Sequence, residues 1–312
     1  MPPEAQGNFA GKHLVVFGCG YIGGEIARQA LARDLRVTGL TRNAVTAEAL
    51  RSSGVTAVVA DLATDAWHEK VPAADFALDA VSSGGGGVEG YRRSYLAGMK
   101  SVLAWRDAKS PACALVYTSS TSVYPQDGGV AVDESAPVSP RDERAAVLIE
   151  TEALILGRPQ DEPGPRPVIL RLAGIYGPGR THLVEQVRAG EVSGWPDHPL
   201  NLIHRDDVCS AIWAALEGGA GRSQPVWRRL ERHALHQVYN VVDDQPSRKA
   251  EVAAWLAARL GVSPPRFSGA PAGGRRAVTP DRIILNTRLK GELGWAPLFP
   301  SFREGYAKFL SP

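Results

Sequence analysis

A glycine-rich turn between a strand and a helix is the feature that most constrains how this chain can fold. Residues 14–17 form an apolar, β-branched run of the length expected for a buried parallel strand. Gly18, Gly20 and Gly23 follow directly in the spacing G-x-G-x-x-G, and a helical stretch then leads to a second strand over residues 35–40. A glycine turn that binds nothing is the alternative, but the complete strand–turn–helix–strand unit favours dinucleotide binding.

Each glycine of the turn has a separate predicted task. Gly18 permits the tight turn, Gly20 lets the backbone approach a pyrophosphate, and Gly23 lets the helix pack against the strand. The first turn of the helix offers N–H groups and the positive end of its dipole to the phosphates. Tyr21 and Ile22 lie within the same turn, and we expect both to contact the cofactor.

The end of the second strand indicates which dinucleotide binds. A site for NAD usually has Asp or Glu there, and that carboxylate bonds the ribose 2′-hydroxyl. This strand instead runs into Thr41 and Arg42, without a carboxylate in residues 39–43. An arginine can bind a 2′-phosphate through two parallel hydrogen bonds, whereas a carboxylate would repel it. We therefore predict NADP in preference to NAD; the alternative is that Arg42 is an ordinary solvated charge.

The ends of later strands supply further candidate contacts, because ligands of open α/β sheets bind at the carboxyl edge. The residues predicted to contact the cofactor there are Asp61, Leu62, Val81, Ser82, Thr118 and Ser119. Asp61 could accept a hydrogen bond from the adenine amino group, or it could cap the following helix. Four successive glycines at 84–87 exclude a strand or a helix interior. They predict either a flexible loop or a place where backbone lies close to a ligand.

Alternating strands and helices indicate the fold class. Predicted strands at 55–60, 76–81, 113–118 and 168–172 alternate with helices, one of which covers residues 88–107. Repeated βα units are typical of parallel sheets with right-handed crossovers. The sequence therefore predicts an α/β protein with a Rossmann-type doubly wound parallel sheet.

Composition narrows the range of partners and locations. The 312 residues include 35 Lys plus Arg against 33 Asp plus Glu, a formal charge of only +2. This balance gives no reason to expect nucleic acid or an anionic membrane as partner. Three cysteines without C-x-x-C spacing suit a reducing compartment, and the sequence lacks an apolar run long enough to span a membrane. We expect a cytoplasmic protein with a small-molecule substrate, and the sequence is compatible with a homodimer.

Motifs in the second half of the chain resemble those of a known family. Residues 115–124 end a strand in a cluster of hydroxyls and then read Val-Tyr, and further matches follow in order at 170–179, 201–208, 239–241 and 293–297. Together these stretches resemble the extended short-chain dehydrogenase/reductase superfamily, and within it the NAD-dependent epimerase/dehydratase family.

The resemblance implies further contacts and a division into domains. It implies that Leu172 and Ile175 contact the cofactor. It also implies a dinucleotide-binding Rossmann domain and a smaller substrate-binding region. The first covers residues 8–174 with 202–242 returning to it, and the second covers 175–201 and 243–312.

Departures from the family pattern bear on catalysis. Members carry a helix with Tyr as general acid or base, Lys four residues later and often Glu four residues after the Lys. If Glu152 is this glutamate, Leu148 stands at the Lys position and Arg144 at the Tyr position. Leucine has no titrating group, and arginine stays protonated, so neither replaces the family residue. Ser120 is the part of the catalytic group that remains.

Several residues are candidates for the missing chemistry. The resemblance gives Ser120 and Arg144 as the residues facing the reacting groups. Tyr124 and Tyr95, which stands where the family has Asn, are candidate proton donors by location, although a tyrosine in either place is more often a packing residue than an acid. Arg144 could instead pair with Glu143 or Glu150 and never face the site.

Two functions remain open from the sequence. The first is an NADP-dependent enzyme acting on a sugar-like or other small carbonyl or alcohol substrate. The second is a binding or regulatory protein that senses NADP(H) without chemistry. No metal is expected, because the H-x-x-H of His233 and His236, without further clustered ligands, is more often incidental than a metal site.

Overall fold

The computed structural model describes residues 9–159, 164–217, 238–269 and 280–310. These residues form two compact units. The first unit comprises Met1–Val123, Val138–Arg171 and Ala211–Tyr239, and the second comprises Tyr124–Pro137, Leu172–Ser210 and Asn240–Pro312, apart from the undescribed stretches within those bounds. Residues 202–210 belong to the second unit, whereas the predicted division returned them to the first. The functional division itself stays a prediction.

The strands, numbered in chain order, are β1 His13–Phe17, β2 Arg36–Thr41, β3 Thr56–Val59, β4 Phe76–Asp79, β5 Ala114–Ser120, β6 Val130–Val132, β7 Val168–Leu172, β8 Gly174–Tyr176, β9 Glu191–Val192, β10 Pro199–Leu200, β11 Leu202–His204, β12 Val238–Val241, β13 Ser247–Arg248, β14 Arg266–Phe267 and β15 Arg282–Ile284. Seven of them form a parallel central sheet in the order β12-β7-β5-β4-β1-β2-β3. The remaining strands form two-stranded pairs.

The α-helices are α1 Gly23–Leu31, α2 Ala44–Ser52, α3 Gly87–Tyr91, α4 Gly98–Lys109, α5 Glu143–Leu156, α6 His182–Arg188, α7 Arg205–Glu217, α8 Lys249–Leu260, α9 Thr287–Leu293 and α10 Phe302–Ala307. Short 3₁₀ segments cover Asp65–Lys70 and Thr121–Val123. The alternation of strands with helices confirms the predicted α/β, Rossmann-type fold.

The helix predicted over residues 88–107 is not regular. Between α3 and α4 the structure has a π-helical turn, Arg92–Ala97. Such turns are rare and are frequent at functional sites. Because a π turn contains extra residues per turn, it changes the direction of every side chain that follows, and a uniform helical period cannot anticipate that change.

Each unit has its own apolar core. In the first, side chains of the central strands pack with the indoles of Trp67 and Trp105, which are fully buried. In the second, the core joins α6 and α8 to Phe302 and Tyr306 of α10. The apolar run that predicted β1 is completely buried, as expected for a strand with neighbours on both sides.

Some sequence features lie wholly or partly outside the described residues. These are residues 218–237, which include the H-x-x-H of His233 and His236, and the stretches 160–163 and 270–279.

Candidate functional site

The glycine turn after β1 has the geometry that its predicted tasks require. Gly18 has φ +88°, and a Cβ added there would lie 2.7 Å from the Cα of Val81. A Cβ on Gly23 would overlap the Gly18 carbonyl oxygen. A Cβ on Gly20, in contrast, would meet no other atom within 4 Å. The first and third glycines are therefore needed for packing, and the space over the second is open. Ile22 is buried beneath this turn, whereas Tyr21 is partly exposed.

The side chain of Arg42 lies over a second segment of glycine backbone. Its Nη2 donates to the Ser83 carbonyl at 3.4 Å, and a Cβ added to Gly84 would overlap the same nitrogen. Gly84 has φ +64°, a conformation that glycine adopts without strain. Thr41 accepts the N–H of Asn43 through its hydroxyl at 3.2 Å. The guanidinium is thus placed at the carboxyl edge of the sheet, beside the loop that follows β4.

Asp61 lies in a network that includes a contact with Arg93, which neither sequence interpretation anticipated. Its Oδ1 accepts the Ala63 N–H at 2.9 Å, and its Oδ2 accepts Nε–H of Arg93, in the π turn, at 2.7 Å. Asp61 thus caps the turn that precedes the 3₁₀ segment. Leu62 is buried against Gly98, where an added Cβ would lie 3.1 Å from its Cδ2.

The glycine run 84–87 forms a left-handed connection from β4 to α3. All four residues have positive φ, between +61° and +109°. Side chains other than glycine rarely adopt this conformation repeatedly. Ser82 is exposed at the start of the loop, and the hydroxyl of Ser94 donates to the Ser83 carbonyl at 3.5 Å. The run is therefore a defined turn that keeps backbone next to Arg42.

The hydroxyls at the end of β5 have different partners. Thr118 donates to the Asp79 carbonyl at 3.1 Å, and Ser119 donates to the Glu152 carboxylate at 2.6 Å. Glu152 also forms an ion pair with Arg171 at 2.6 Å, with both side chains buried. Ser120 is partly exposed, and its Oγ accepts the Ser122 N–H at 3.2 Å. Of these three predicted residues, Ser120 alone has a partly exposed side chain that could face a ligand.

Asp79 is a buried carboxylic acid that the sequence analysis missed. It ends β4 directly beside Tyr117 of β5. Both side chains are completely buried, and neither Asp79 Oδ2 nor the Tyr117 hydroxyl has a hydrogen-bond partner among the described residues. Burial raises the pKa of Asp79 to about 7. The signal available in the sequence was a single acid within the otherwise apolar run 76–81.

Helix α5 presents Arg144 to aromatic rings. Its guanidinium carbon lies 5.3 Å from the ring centre of Tyr91, and the rings of Tyr91 and Tyr95 are 5.0 Å apart. Burial is the main cause that raises the pKa of Tyr95. Leu148, one turn further along α5, is 3% exposed. A fixed cation and a buried apolar side chain therefore lie at the two positions that the sequence comparison predicts for the acid–base pair of the family.

The alternative prediction for Arg144 was an ion pair with Glu143 or Glu150. Glu150 forms an ion pair with Arg92 at 2.9 Å. Within the described ranges, no ion pair joins Arg144 to Glu143 or Glu150.

Tyr124, Leu172 and Ile175 belong to the second unit. Tyr124 is completely buried, and its hydroxyl donates to Oδ1 of Asn240 at 2.9 Å. Leu172 is buried, while Ile175 is partly exposed and pairs with Ile203 between β8 and β11. The environment of Tyr124 is that of a packing tyrosine with a satisfied hydroxyl.

The described residues contain neither a metal-binding cluster nor a membrane-spanning helix. No group of three or more His, Cys, Asp or Glu side chains in the described part of the chain could hold a metal ion. Among the helices of the same residues, none combines the length and apolar character needed to cross a membrane.

Similarity to known proteins agrees with this architecture. Protein YeeZ of Escherichia coli strain K12 is 28% identical over 297 residues, which cover 93% of this chain and 97% of YeeZ. The structure of dTDP-glucose 4,6-dehydratase from Bacillus anthracis, in complex with NAD, has a TM-score of 0.74 at 17% identity and covers 96% of this chain and 95% of that one. UDP-glucose 4-epimerase from Thermotoga maritima, solved with UDP-glucose, has a TM-score of 0.77 at 16% identity and covers 96% and 97%. At these identities the two solved structures show a shared fold.

A family model establishes the relationship that the motifs predicted. The model of the NAD dependent epimerase/dehydratase family matches residues 14–227, well over half of the chain. The match begins in β1 and includes the glycine turn, the Arg42 segment and helix α5. The chain therefore belongs to the NAD dependent epimerase/dehydratase family of NAD-binding oxidoreductases.

Proposed function

We propose that the first unit binds NADP(H) in preference to NAD(H), and that the protein transfers hydride between this cofactor and a small carbonyl or alcohol substrate. The observation that carries the proposal is the Arg42 guanidinium, which lies over the Gly84 backbone and donates to Ser83. A guanidinium at this strand end suits a 2′-phosphate, which it can bind through charge-assisted hydrogen bonds.

The residues of the glycine turn fit the rest of a dinucleotide. The open space over Gly20 would accept the pyrophosphate, and the N-terminus of α1 would supply N–H groups and a positive dipole end. Asp61, whose charge interacts with that of Arg42, already accepts a hydrogen bond from Arg93. When bound, the cofactor would supply hydride to a carbonyl substrate or accept it from an alcohol substrate. Ser120, partly exposed at the end of β5, would donate a hydrogen bond to the reacting oxygen.

The substrate class follows from chemistry and from analogy. The Thermotoga epimerase was solved with UDP-glucose, and this analogy supports a sugar-like substrate with a carbonyl or alcohol group. Arg144 adds a constraint, because a permanent cation stabilises an anion but does not readily cycle a proton. The substrate is therefore anionic, or its proton comes from another group.

Calorimetric titration with NADPH, NADP⁺, NADH and NAD⁺ tests the cofactor assignment. The phosphorylated pair should bind more tightly, and Arg42→Ala should narrow the gap by about 1.5–3 kcal/mol, the range for a hydrogen bond to a charged group. Arg36→Ala is the matched control, since Arg36 is an exposed arginine at the opposite end of the same strand. Equal affinities for NADPH and NADH in the unaltered protein would overturn the assignment.

The second candidate is a non-catalytic NADP(H) sensor. Two observations favour it: Arg144 packs on Tyr91, and Leu148 is buried, so helix α5 offers no acid–base pair. Oxidation of NADPH with a panel of aldehydes, ketones and keto acids separates the two functions. The enzyme should oxidise NADPH with at least one class of carbonyl compound, whereas the sensor should bind NADPH and oxidise it with none.

A further inference from the structure

We infer that Trp195 and Lys249 form a ligand subsite in the second unit that binds a planar ring carrying a carboxylate or a phosphate. The inference rests on the proposed function in one respect, since it takes this ligand to be the substrate of that enzyme. The ring would stack on the indole of Trp195, and its anionic group would pair with the Lys249 ammonium.

Trp195 is a large apolar side chain with most of its surface in solvent. It is 61% exposed, and its six-membered ring contacts Gly269, where an added Cβ would lie 3.4 Å from Cζ3. Exposed indoles are costly to hydrate and offer a flat surface on which an aromatic ring can stack. Because residue 269 is a glycine, no side chain at that position covers the indole.

The segment that carries the indole is fixed by backbone hydrogen bonds. Gly194 donates to the hydroxyl of Ser268 at 3.1 Å, and Gly269 donates to the Gly194 carbonyl at 3.2 Å. On the other side of Trp195, the Pro196 carbonyl accepts the Ala250 N–H at 2.9 Å. A stacking surface held in this way loses little conformational entropy when a ligand binds.

Lys249 is a partly buried cation that has no counter-ion among the residues that the structure describes. Its Nζ donates to the Ser193 carbonyl at 3.1 Å, and no carboxylate of the described residues lies within ion-pair distance. Burial lowers the pKa of this ammonium. Lys290 shows the contrast, because it pairs with Asp244 at 2.9 Å. A cation withdrawn from water without a partner gains more from an incoming anion than a paired one.

The cation and the indole are adjacent. A Cβ added to Gly194 would lie 2.9 Å from Nζ of Lys249, so the ammonium lies over the residue that precedes Trp195. Arg248, the residue before Lys249, differs from it because its guanidinium forms an ion pair with Asp281 at 3.4 Å. A single ligand with its anionic group next to its ring would therefore contact both side chains.

Calorimetry on the full chain with four probes tests this subsite. The anionic probes are 4-hydroxybenzoate and phenyl phosphate, and 4-hydroxybenzyl alcohol and phenol are their neutral counterparts. At least one anionic probe should bind, at least about tenfold more tightly than its neutral counterpart, as one charged hydrogen bond would give. Which anionic probe binds distinguishes a carboxylate from a phosphate as the recognised group. If neither binds, the inference is wrong.

Substitutions assign the binding to the two residues. Lys249→Met should reduce the affinity for the anionic probe to that for its neutral counterpart. Trp195→Ala should weaken the binding of the anionic and the neutral probe alike. Trp195→Phe should retain binding but lose part of the ligand-induced quenching of tryptophan fluorescence. Lys290→Met and Leu298→Ala are matched controls, the latter because Leu298 is 64% exposed, and both should bind like the unaltered protein.

Cofactor titration keeps this inference separate from the proposed function. NADPH affinity should be the same in Lys249→Met and Trp195→Ala as in the unaltered protein, because both residues lie in the second unit. Absence of NADPH binding in the unaltered protein would contradict the proposed function. Unchanged probe affinity in Lys249→Met would contradict the subsite, whatever the cofactor result.

Discussion

The Arg93 guanidinium donates to the Asp61 carboxylate at 2.7 Å, and Arg42 acts on the same carboxylate from the end of the neighbouring strand. Burial alone would raise the pKa of Asp61, but the Ala63 N–H, Arg93 and Arg42 together outweigh it and hold the pKa below its ordinary value. Asp61 therefore stays charged, and Arg93 compensates that charge. A carboxylate compensated in this way repels a nearby phosphate less than a bare one.

Arg93→Gln should therefore weaken NADPH binding and leave NADH binding unchanged. Because the pair is largely exposed, with 53% and 32% of the side chains in solvent, the effect should not exceed about fivefold, the upper end of the range for an exposed ion pair. Fluorescence titration with NADPH and NADH at low salt measures it.

Two further variants show whether Arg93 acts through Asp61. Adding Asp61→Asn to Arg93→Gln should restore NADPH affinity, because no carboxylate is then left to repel the phosphate. Arg92→Gln is the control, since the adjacent arginine pairs with Glu150 instead. A double variant that remains weak would mean that Arg93 does not act through Asp61.

The glycine turn predicts opposite outcomes for two substitutions. Gly20→Val should fold, because its Cβ meets no atom within 4 Å, but it should lose NADPH binding because the branched side chain fills the pyrophosphate space. Gly18→Ala should lower the melting temperature, since φ is +88° and the Cβ would overlap the Val81 backbone. Native NADPH affinity in Gly20→Val would show that the pyrophosphate binds elsewhere.

The buried pair of Glu152 and Arg171 should be the most sensitive charge pair in the first unit. Glu152→Gln removes the carboxylate that faces Arg171 at 2.6 Å, and breaking a buried pair on one side costs about 3–5 kcal/mol of unfolding free energy. Glu150→Gln is the matched control on the same helix, because its pair with Arg92 is exposed, and it should lower the free energy of unfolding far less than Glu152→Gln does. Urea unfolding at pH 7 measures the free energy of unfolding of both variants. Equal losses of stability would contradict the prediction that the buried pair is the more sensitive one.

Asp79 should make the stability of the protein depend on pH. Its pKa is raised from 3.8 to about 7 in the folded state, so the fold favours the protonated acid. The stabilising contribution is complete below about pH 4 and is lost as the pH rises through 7, at up to about 1.4 kcal/mol per pH unit.

Asp79→Asn isolates this contribution, because the neutral amide does not titrate. Relative to the unaltered protein, the variant should gain about 2–3 kcal/mol of unfolding free energy between pH 5 and pH 8. The comparison must be between the two proteins, since burial also raises the pKa of Asp207 to about 7 and of Asp243 to about 8. Urea unfolding at both pH values measures the difference. A difference that is the same at pH 5 and pH 8 would contradict the prediction.

The parts of the structure that the sequence predicts are those governed by local spacing. The turn with Gly18 and Gly23 and the strands of the central sheet follow from patterns within a few residues of one another. Contacts that join distant segments are a different matter. Asp61 and Arg93 are 32 residues apart, and a π turn determines the direction of Arg93.

The roles of the hydroxyls at the end of β5 show the same limit. Ser119 and Ser120 are equivalent in the sequence, but successive side chains of a strand point to opposite faces. Ser119 therefore donates to the buried carboxylate of Glu152, while Ser120 is partly exposed. The position of helix α5, which carries Glu152, determines which of the two hydroxyls is buried. The burial of Asp79 beside Tyr117 likewise depends on strand order, which a sequence pattern does not contain.

Arg144 provides the last prediction. Its guanidinium packs on Tyr91 with Leu148 buried one turn later, so position 144 offers a cation that can bind an anion but cannot cycle a proton. If the protein reduces carbonyl compounds, Arg144→Ala should lower the rate with a keto acid far more than the rate with its methyl ester. The pH profile with the ester should be unchanged, because no titrating group is removed.

Arg144→Lys, which keeps the charge, should retain most of the preference for the keto acid. Arg141→Ala is the control, because Arg141 is an exposed arginine just before the helix. Should Arg144→Ala leave both the rates and the affinity for the keto acid untouched, Arg144 packs on Tyr91 without contacting the substrate.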